Sequence, residues 1–190
     1  MSLGPLDGAF TNLVVANDLV ITNGGLSLGG VAIASGFSAS VAGLGTNPTL
    51  TVGGSVRLTG SSGLALGVNG QNSNIVLTVG TDMLVDGSRL ALGGQDQAPR
   101  SMVSVGNTLT MTNGGSLTVY SGLTNAVATN YGALVSVVDG AGAVRVGATS
   151  WIYLYSQSTN GGSVLFRVGS LAVAANGGFD ADNKGYAKTY

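Results

Sequence analysis

The chain has 190 residues and a formal net charge of −1; 44% of its residues are hydrophobic, 8% are charged and 33 residues are glycine. It contains no Cys and no His, which excludes disulfides, thiolate metal sites and histidine-based acid–base catalysis. With only 7 Lys and Arg residues it lacks the clustered positive charge that nucleic acids require.

The composition also argues against helices. Every acidic residue is Asp, and Val, Thr, Leu, Ser and Gly dominate the chain. A surface helix needs Glu, Lys or Arg on its exposed face, and these residues are scarce or absent here. No stretch approaches the roughly 18 consecutive apolar residues of a membrane-spanning helix. We therefore expect an all-β protein without a membrane span.

Six related units follow one another along the chain, at 13–29, 50–67, 77–93, 103–120, 135–155 and 166–182. Each contains three short runs in which apolar and polar residues alternate, as expected for strands with one buried face. A Val in the first run marks each unit, and these markers are Val15, Val52, Val79, Val105, Val137 and Val168.

The alternation predicts which side chains face the interior. The inward set of unit two is Leu50, Val52, Val56, Leu58, Leu64 and Leu66, and that of unit four is Val103, Val105, Leu109, Met111, Leu117 and Val119. The residues predicted to face water include Thr51, Arg57, Thr78, Ser104, Thr110, Thr118, Ser136, Arg145 and Arg167.

Two architectures fit short strands at this spacing: a sandwich or barrel built from hairpins, and a parallel β-solenoid in which each unit is one coil. The similarity lies between units about thirty residues apart and not between adjacent strands. Equivalent positions also carry like residues. We therefore predict a parallel β-solenoid (β-helix) of about six coils with three short strands per coil. It forms one domain over 1–190, either whole or as a segment of a longer rod.

The phrase TNGG stands at 22–25, 112–115 and 159–162, and ANGG stands at 175–178. Gly and Asn both tolerate positive φ, which a tight corner between strands requires. Asn-Gly is equally a hairpin signal, the alternative interpretation. In a solenoid these phrases become corners.

Two segments, 30–49 and 120–134, are too long for corners and are predicted to be excursions from the rod. Excursions are where solenoid proteins commonly carry function. The first of them is rich in β-forming residues and is predicted to form either extra strands or a loop.

Carboxylates are the first candidates for chemistry. Asp82 and Asp86 lie close together in unit three, Asp96 lies in the segment QDQAPR, and Asp139 stands apart. Glycoside cleavage needs two carboxylates that face one cleft. Nothing else in the sequence converges on this pair, so we interpret these residues as solvated turn aspartates.

Trp151, Tyr153 and Tyr155 in SWIYLYSQ form the most distinctive cluster. Their spacing places all three rings on one face of a strand. Exposed aromatic rings on a β face can hold sugar rings or a protein subunit. We predict a contact surface here. In the alternative interpretation the second excursion covers these rings, with Tyr120 or Tyr131 joining them.

The segment GGFDADNKGY, 177–186, overlaps the start of an EF-hand-type calcium loop. Asp180 and Asp182 would be the ligands. Lys184, however, occupies the third ligand position, where its charge would repel calcium. No cofactor is therefore expected, and calcium at these two residues is the alternative.

The Val-, Thr- and Gly-rich coils followed by GGFDADNKGY resemble very large, secreted, Gly-rich β-helix proteins of environmental bacteria, including autotransporter-like passengers. The resemblance implies an extracellular or cell-surface location and a structural role, and it implies no catalytic residues.

Neither MSLGPLDGAFT nor DNKGYAKTY has the character of a cap for an open solenoid end, and the low charge suits an assembled surface. We therefore expect a non-enzymatic, self-assembling subunit or segment of an extracellular fibre, sheath or coat, whose partners are copies of itself or further coils. The alternative is a β-helix that binds or cleaves polysaccharide, with Arg57, Arg145 and Arg167 as candidate contacts.

Overall fold

The computed structural model describes residues 12–22, 25–28, 40–41, 49–67, 74–93, 100–122, 132–157, 162–182 and 184. Within these residues the chain forms short β-strands and one 3₁₀ turn, Val138–Gly140. None of them forms a helix with the length and apolar character needed to cross a membrane.

The strands fall into six successive coils of three. Coil one contains β1 (Asn12–Val15), β2 (Leu19–Thr22) and β3 (Gly25–Leu28), and β4 (Ser40–Val41) follows it. Coil two contains β5 (Thr49–Val52), β6 (Val56–Thr59) and β7 (Gly63–Leu66), and coil three contains β8 (Asn74–Val79), β9 (Met83–Asp86) and β10 (Arg89–Leu92). Coil four contains β11 (Arg100–Val105), β12 (Thr108–Thr112) and β13 (Ser116–Tyr120). Coil five contains β14 (Ala133–Val137), β15 (Ala143–Val146) and β16 (Trp151–Tyr155), and coil six contains β17 (Val164–Arg167), β18 (Ser170–Val173) and β19 (Gly178–Asp180).

Three sheets run along the rod, and each takes one strand from every coil. The first sheet has the order β1-β5-β8-β11-β14-β17, the second β2-β6-β9-β12-β15-β18, and the third β4-β3-β7-β10-β13-β16-β19. Every pairing among the described strands is parallel and joins a strand to its counterpart one coil away, or β4 to β3. The predicted parallel solenoid is confirmed, and the hairpin alternative is wrong.

The register follows the sequence repeat. Val15 pairs with Val52, Val52 with Val79, Val79 with Val105, and Val105 with Val137. The last marker, Val168, directly follows Arg167, which pairs with Ser136, the neighbour of Val137. The thirty-residue periodicity is therefore the chain length of one coil.

Aliphatic side chains fill the interior in columns that run from coil to coil. All twelve side chains predicted to face inward in units two and four are buried. Burying a Leu or Val side chain stabilises a fold by roughly 1.5–3 kcal/mol. Because each coil covers the inward side chains of the next, the stabilisation comes from stacking the coils and not from any single coil.

The outward set is only partly as predicted. Arg57, Arg145 and Arg167 are exposed, but Thr118 and Ser136, predicted to face water, are buried at 8% and 6% exposure. Alternation with period two assigns a residue to a side of the sheet and does not determine whether that side is open. On the outer face of the third sheet the middle column is buried over coils two to four, at Ala65, Ala91 and Thr118, whereas Arg89 of the adjacent outward column is exposed.

The corners behave as the repeated phrases predict. Asn113 and Asn176 have φ values of 53° and 61°, and Gly114 has a φ of 77°. These three residues belong to the phrases at 112–115 and 175–178. The phrases at 22–25 and 159–162 lie largely outside the described residues.

A second kind of corner glycine follows the first strand of coils two to four, at Gly53, Gly80 and Gly106. A Cβ on Gly80 would overlap the carbonyl oxygen of Gly53, and a Cβ on Gly106 would overlap that of Gly80. Glycine is required here by the close approach of the neighbouring coil and not by its φ.

The length of the connections differs between the three edges of the rod. Links from the first to the second sheet and from the second to the third are short, as at 80–82 and 87–88. Links from the third sheet back to the first are long and variable: 29–48, 67–73, 93–99, 121–132 and 156–163. Both predicted excursions, 30–49 and 120–134, belong to the connections from the third sheet to the first. Most of their residues lie outside the described part of the chain. Of the rest, 40–41 form β4, residue 120 ends β13 and residues 133–134 begin β14.

The interior columns end at coil six with exposed side chains. Leu171, Val173 and Phe179 lie in register with buried residues of coil five, yet they are 50%, 45% and 36% exposed. Phe166 meets Phe179 edge to face, with ring centroids 5.4 Å apart. Within the described residues no strand pairs with the far edges of β17, β18 or β19.

Candidate functional site

The three predicted aromatic residues lie on the outer face of β16. Trp151 is 36% exposed and Tyr153 and Tyr155 are half-buried, while Ile152 between them is fully buried in the core. The strand thus presents its rings on one face, as the spacing predicts. Whether they contact a partner stays a prediction.

Tyr120 of β13 joins this face one coil earlier. It pairs in register with Tyr155, and the two rings stack with centroids 4.3 Å apart. Burial, followed by the proximity of the Tyr155 phenol, raises the pKa of Tyr120 above its ordinary value of 10.0. The other candidate neighbour, Tyr131, lies outside the described residues.

The Trp151 indole packs against Gly178 of coil six. The two residues pair in register, and a Cβ on Gly178 would lie 3.0 Å from Cζ3 of the indole. The six-membered ring therefore packs against the backbone of coil six at the position of a missing side chain. The sequence identified this glycine only as part of a turn.

Lys184 closes the far side of the aromatic face. Its ammonium lies 2.9 Å from Oδ2 of Asp180 and donates a hydrogen bond to the backbone carbonyl of Asp182. The same ammonium lies 5.4 Å from the ring centroid of Tyr153 and 5.5 Å from that of Tyr155, within cation–π range. Lys184 thereby ties the segment after β19 to the rings of β16.

The charges of this ion pair perturb both partners. The hydrogen bond from Lys184, and then that from the backbone N–H of Asp182, lower the pKa of Asp180 below its ordinary 3.8. The hydrogen bond to Asp180 raises the pKa of Lys184 above 10.5. The sequence showed Lys184 as an obstacle to calcium; its four-residue spacing from Asp180 was the signal of this pairing.

The arrangement bears on the calcium alternative at Asp180 and Asp182. One oxygen of Asp180 binds the Lys184 ammonium and the other accepts the N–H of Asp182, so an internal cation already sits against this carboxylate. Within the part of the chain that the structure describes, no three acidic side chains come together. The turn is held by its own lysine.

A groove opens beside these residues. It has a volume of about 300 Å³ and is lined by Trp151, Tyr153, Phe179, Asp180, Ala181 and Asp182. It combines an aromatic wall with carboxylate and backbone groups, which is the composition of sites for small polar ligands.

Carboxylates elsewhere in the described part of the chain join neighbouring coils. Asp82 accepts a hydrogen bond from the Asn107 amide at 2.8 Å, and Asp86 accepts one from the Thr112 hydroxyl at 2.9 Å. Asp82 directly precedes β9 and Asp86 ends it, so their Cα atoms are roughly 13 Å apart at the rise of a strand. Asp96 lies outside the described residues.

The three arginines of the polysaccharide alternative do not converge. Arg57 and Arg145 stand in the same outward column of the second sheet, three coils apart. Arg167 lies on the first sheet and pairs with Asp139 at 3.1 Å. The described residues therefore hold no row of arginines along a single cleft.

Comparison with protein-family models, with curated proteins and with solved structures finds no match to this chain.

Proposed function

We propose that the protein is a structural, self-assembling subunit, in which coil six of one copy stacks on coil one of the next to build an extracellular or cell-surface fibre, sheath or coat. The observation that carries this proposal is the exposed cross-section of the core at coil six, formed by Leu171, Val173 and Phe179.

A contact between two coils needs apolar side chains that pack on each other and strand edges that pair, and coil six offers both. The exposed side chains continue interior columns that are buried in coils two to five, so a further coil would remove them from water. The edges of β17, β18 and β19 offer backbone groups for parallel pairing, as in strand addition to an open sheet.

Stacking of coil six on coil one is a head-to-tail contact, which repeats without closing and gives a filament. β1 and β2 lie at the coil-one edges of their sheets, and β4 lies at that edge of the third. The low charge of the chain supports assembly, because few charged groups must be desolvated or repel one another. The extracellular location rests on the resemblance described from the sequence.

Electron microscopy and sedimentation velocity of the purified 190-residue chain test this proposal. We expect filaments whose amount rises with protein concentration. Leu171→Asp places a charge in the cross-section and should shift the protein to monomers, whereas Ala172→Asp, on the outer face of the same strand, should assemble as the unaltered chain does. Monomers at all concentrations, or equal effects of the two substitutions, would refute it.

A further inference from the structure

We propose that the groove of coils five and six is a binding site for a neutral sugar ring of a polysaccharide, with the Trp151 indole as its stacking platform. The site opens on the outer face of the third sheet, whereas the assembly contact is the cross-section of the core; Phe179 lines the groove and also belongs to that cross-section.

The position of the groove along the rod is the first argument. In the middle outward column of the third sheet, coils two to four carry the short, buried residues Ala65, Ala91 and Thr118. At coil five the corresponding residue is Tyr153, and the strand begins with the exposed Trp151. This column therefore changes from short, buried residues to an aromatic ring at coil five, beside the exposed Trp151 and the stacked rings of Tyr120 and Tyr155.

The second argument is the support of the rings. Gly178 fixes one side of the indole, and Lys184 holds Tyr153 through its ammonium. Rings that are already held in place lose little conformational freedom on binding, which favours affinity. The apolar face of a hexose packs on such a ring, and its hydroxyl groups need polar partners at the rim.

The third argument concerns size and charge. At about 300 Å³ the groove is at the small end of clefts that hold small molecules, large enough for one or two sugar rings. Among the described residues, its polar rim carries the carboxylates of Asp180 and Asp182 beside one ammonium, that of Lys184. The residual negative charge disfavours uronic or sulfated sugars and selects neutral ones.

The test uses the full chain and three probes: hexamers of β-1,4-linked glucose, of β-1,4-linked N-acetylglucosamine and of galacturonic acid. Calorimetry measures binding, and the fluorescence of Trp151, the single tryptophan of the chain, reports the site. We expect at least one neutral hexamer to bind and to shift the emission. The acidic hexamer should bind roughly tenfold more weakly or not at all, a difference of about 1.4 kcal/mol.

Two variants locate the site. Trp151→Ala should weaken binding of the neutral hexamer by roughly tenfold or more, while Trp151→Phe should keep most of it because a ring remains. Leu171→Asp should abolish filaments and leave sugar binding intact, which separates this proposal from the assembly proposal. The proposal is overturned if neither neutral hexamer binds, if Trp151→Ala binds as the unaltered chain does, or if the emission shifts only on filament formation.

Discussion

Coil four and coil six both contain a leucine at the same position of the second sheet, but one leucine is buried and the other is exposed. Leu109 and Leu171 belong to one inward column, joined through Val144, yet Leu109 is 1% exposed and Leu171 is 50% exposed. Both point toward the interior. In a solenoid, burial is provided by the following coil, so the direction of a side chain alone does not bury it.

The comparison extends to the neighbouring columns. Met111 and Leu117 of coil four are fully buried, whereas their column partners Val173 and Phe179 in coil six are exposed. Coil six also carries the rings of Phe166 and Phe179, which pack on each other and shield part of the cross-section. Interior coils are thus held from two sides and the last coil from one.

Truncating the two leucines gives the largest expected contrast. Leu109→Ala should lower the free energy of unfolding by about 2–5 kcal/mol, because it leaves a cavity between stacked coils. Leu171→Ala should lower it by less than about 1 kcal/mol in the monomer, because water already reaches that side chain. Urea denaturation of dilute protein measures both values, and equal losses would contradict the prediction that burial depends on the following coil.

The corner glycines provide a second contrast between interior coils and coil six. Gly80→Ala forces a methyl group into the carbonyl of Gly53, between two coils that are themselves stacked, and should cost about 1–3 kcal/mol. Gly169→Ala meets the carbonyl of Ala141 in the same way, but coil six can shift outward. Its loss of stability in the same denaturation assay should be smaller; a loss as large as that of Gly80→Ala would show coil six to be as constrained as coil three.

The attachment of Lys184 to coil five predicts a pH dependence of coil six. Since the pKa of Asp180 is lowered in the folded protein, its contribution is complete above 3.8 and is lost as the pH falls below that value. Since the pKa of Lys184 is raised, its contribution is complete below 10.5 and is lost as the pH rises through the folded value.

Trp151 fluorescence and near-ultraviolet circular dichroism should therefore change at both ends of the pH range, without loss of the strand signal in the far ultraviolet. Asp180→Asn and Lys184→Gln should each remove the change in Trp151 fluorescence at the acid end; at the alkaline end they should remove the contribution of Lys184 and leave that of Tyr120. Transitions that persist in both variants would assign them to other groups.

The smallest effect is expected at the Asp139–Arg167 pair between coils five and six. The side chains are 88% and 49% exposed, so solvent screens the pair and Asp139→Asn should change stability by less than about 1 kcal/mol. Asn tolerates the positive φ of 46° at this position, whereas Ala does not. Asp139→Ala should therefore cost more than Asp139→Asn in the same denaturation experiment. The reverse order would show that the charge of Asp139 matters more than its backbone conformation.

The sequence was sufficient to predict the fold because local patterns determine three properties: the length of a coil, the residues that face its interior and the residues that form its corners. The Val markers, the inward leucines of units two and four, and Asn113 all stand where their patterns place them. Each of these properties depends on neighbouring residues in the chain and on the repetition of the unit.

Properties that depend on distant residues were not predictable in the same way. Ser136 and Thr118 are on the outer side but buried, and no local pattern reports what lies over a sheet. Placement of the aromatic rings on β16 followed from period two. The support of these rings by Gly178 and Lys184 did not, because it requires the register of coil six against coil five.

The unequal edges of the rod have a consequence for protein engineering. All long links, such as 67–73 and 93–99, connect the third sheet to the first, while the other two connections of each coil take only a few residues. A foreign peptide grafted into these links would be displayed at intervals of roughly 5 Å, the spacing of adjacent strands. The long links thus offer insertion sites at which epitopes or enzymes can be attached in a fixed order. The short connections of the other two edges keep the spacing of the coils regular.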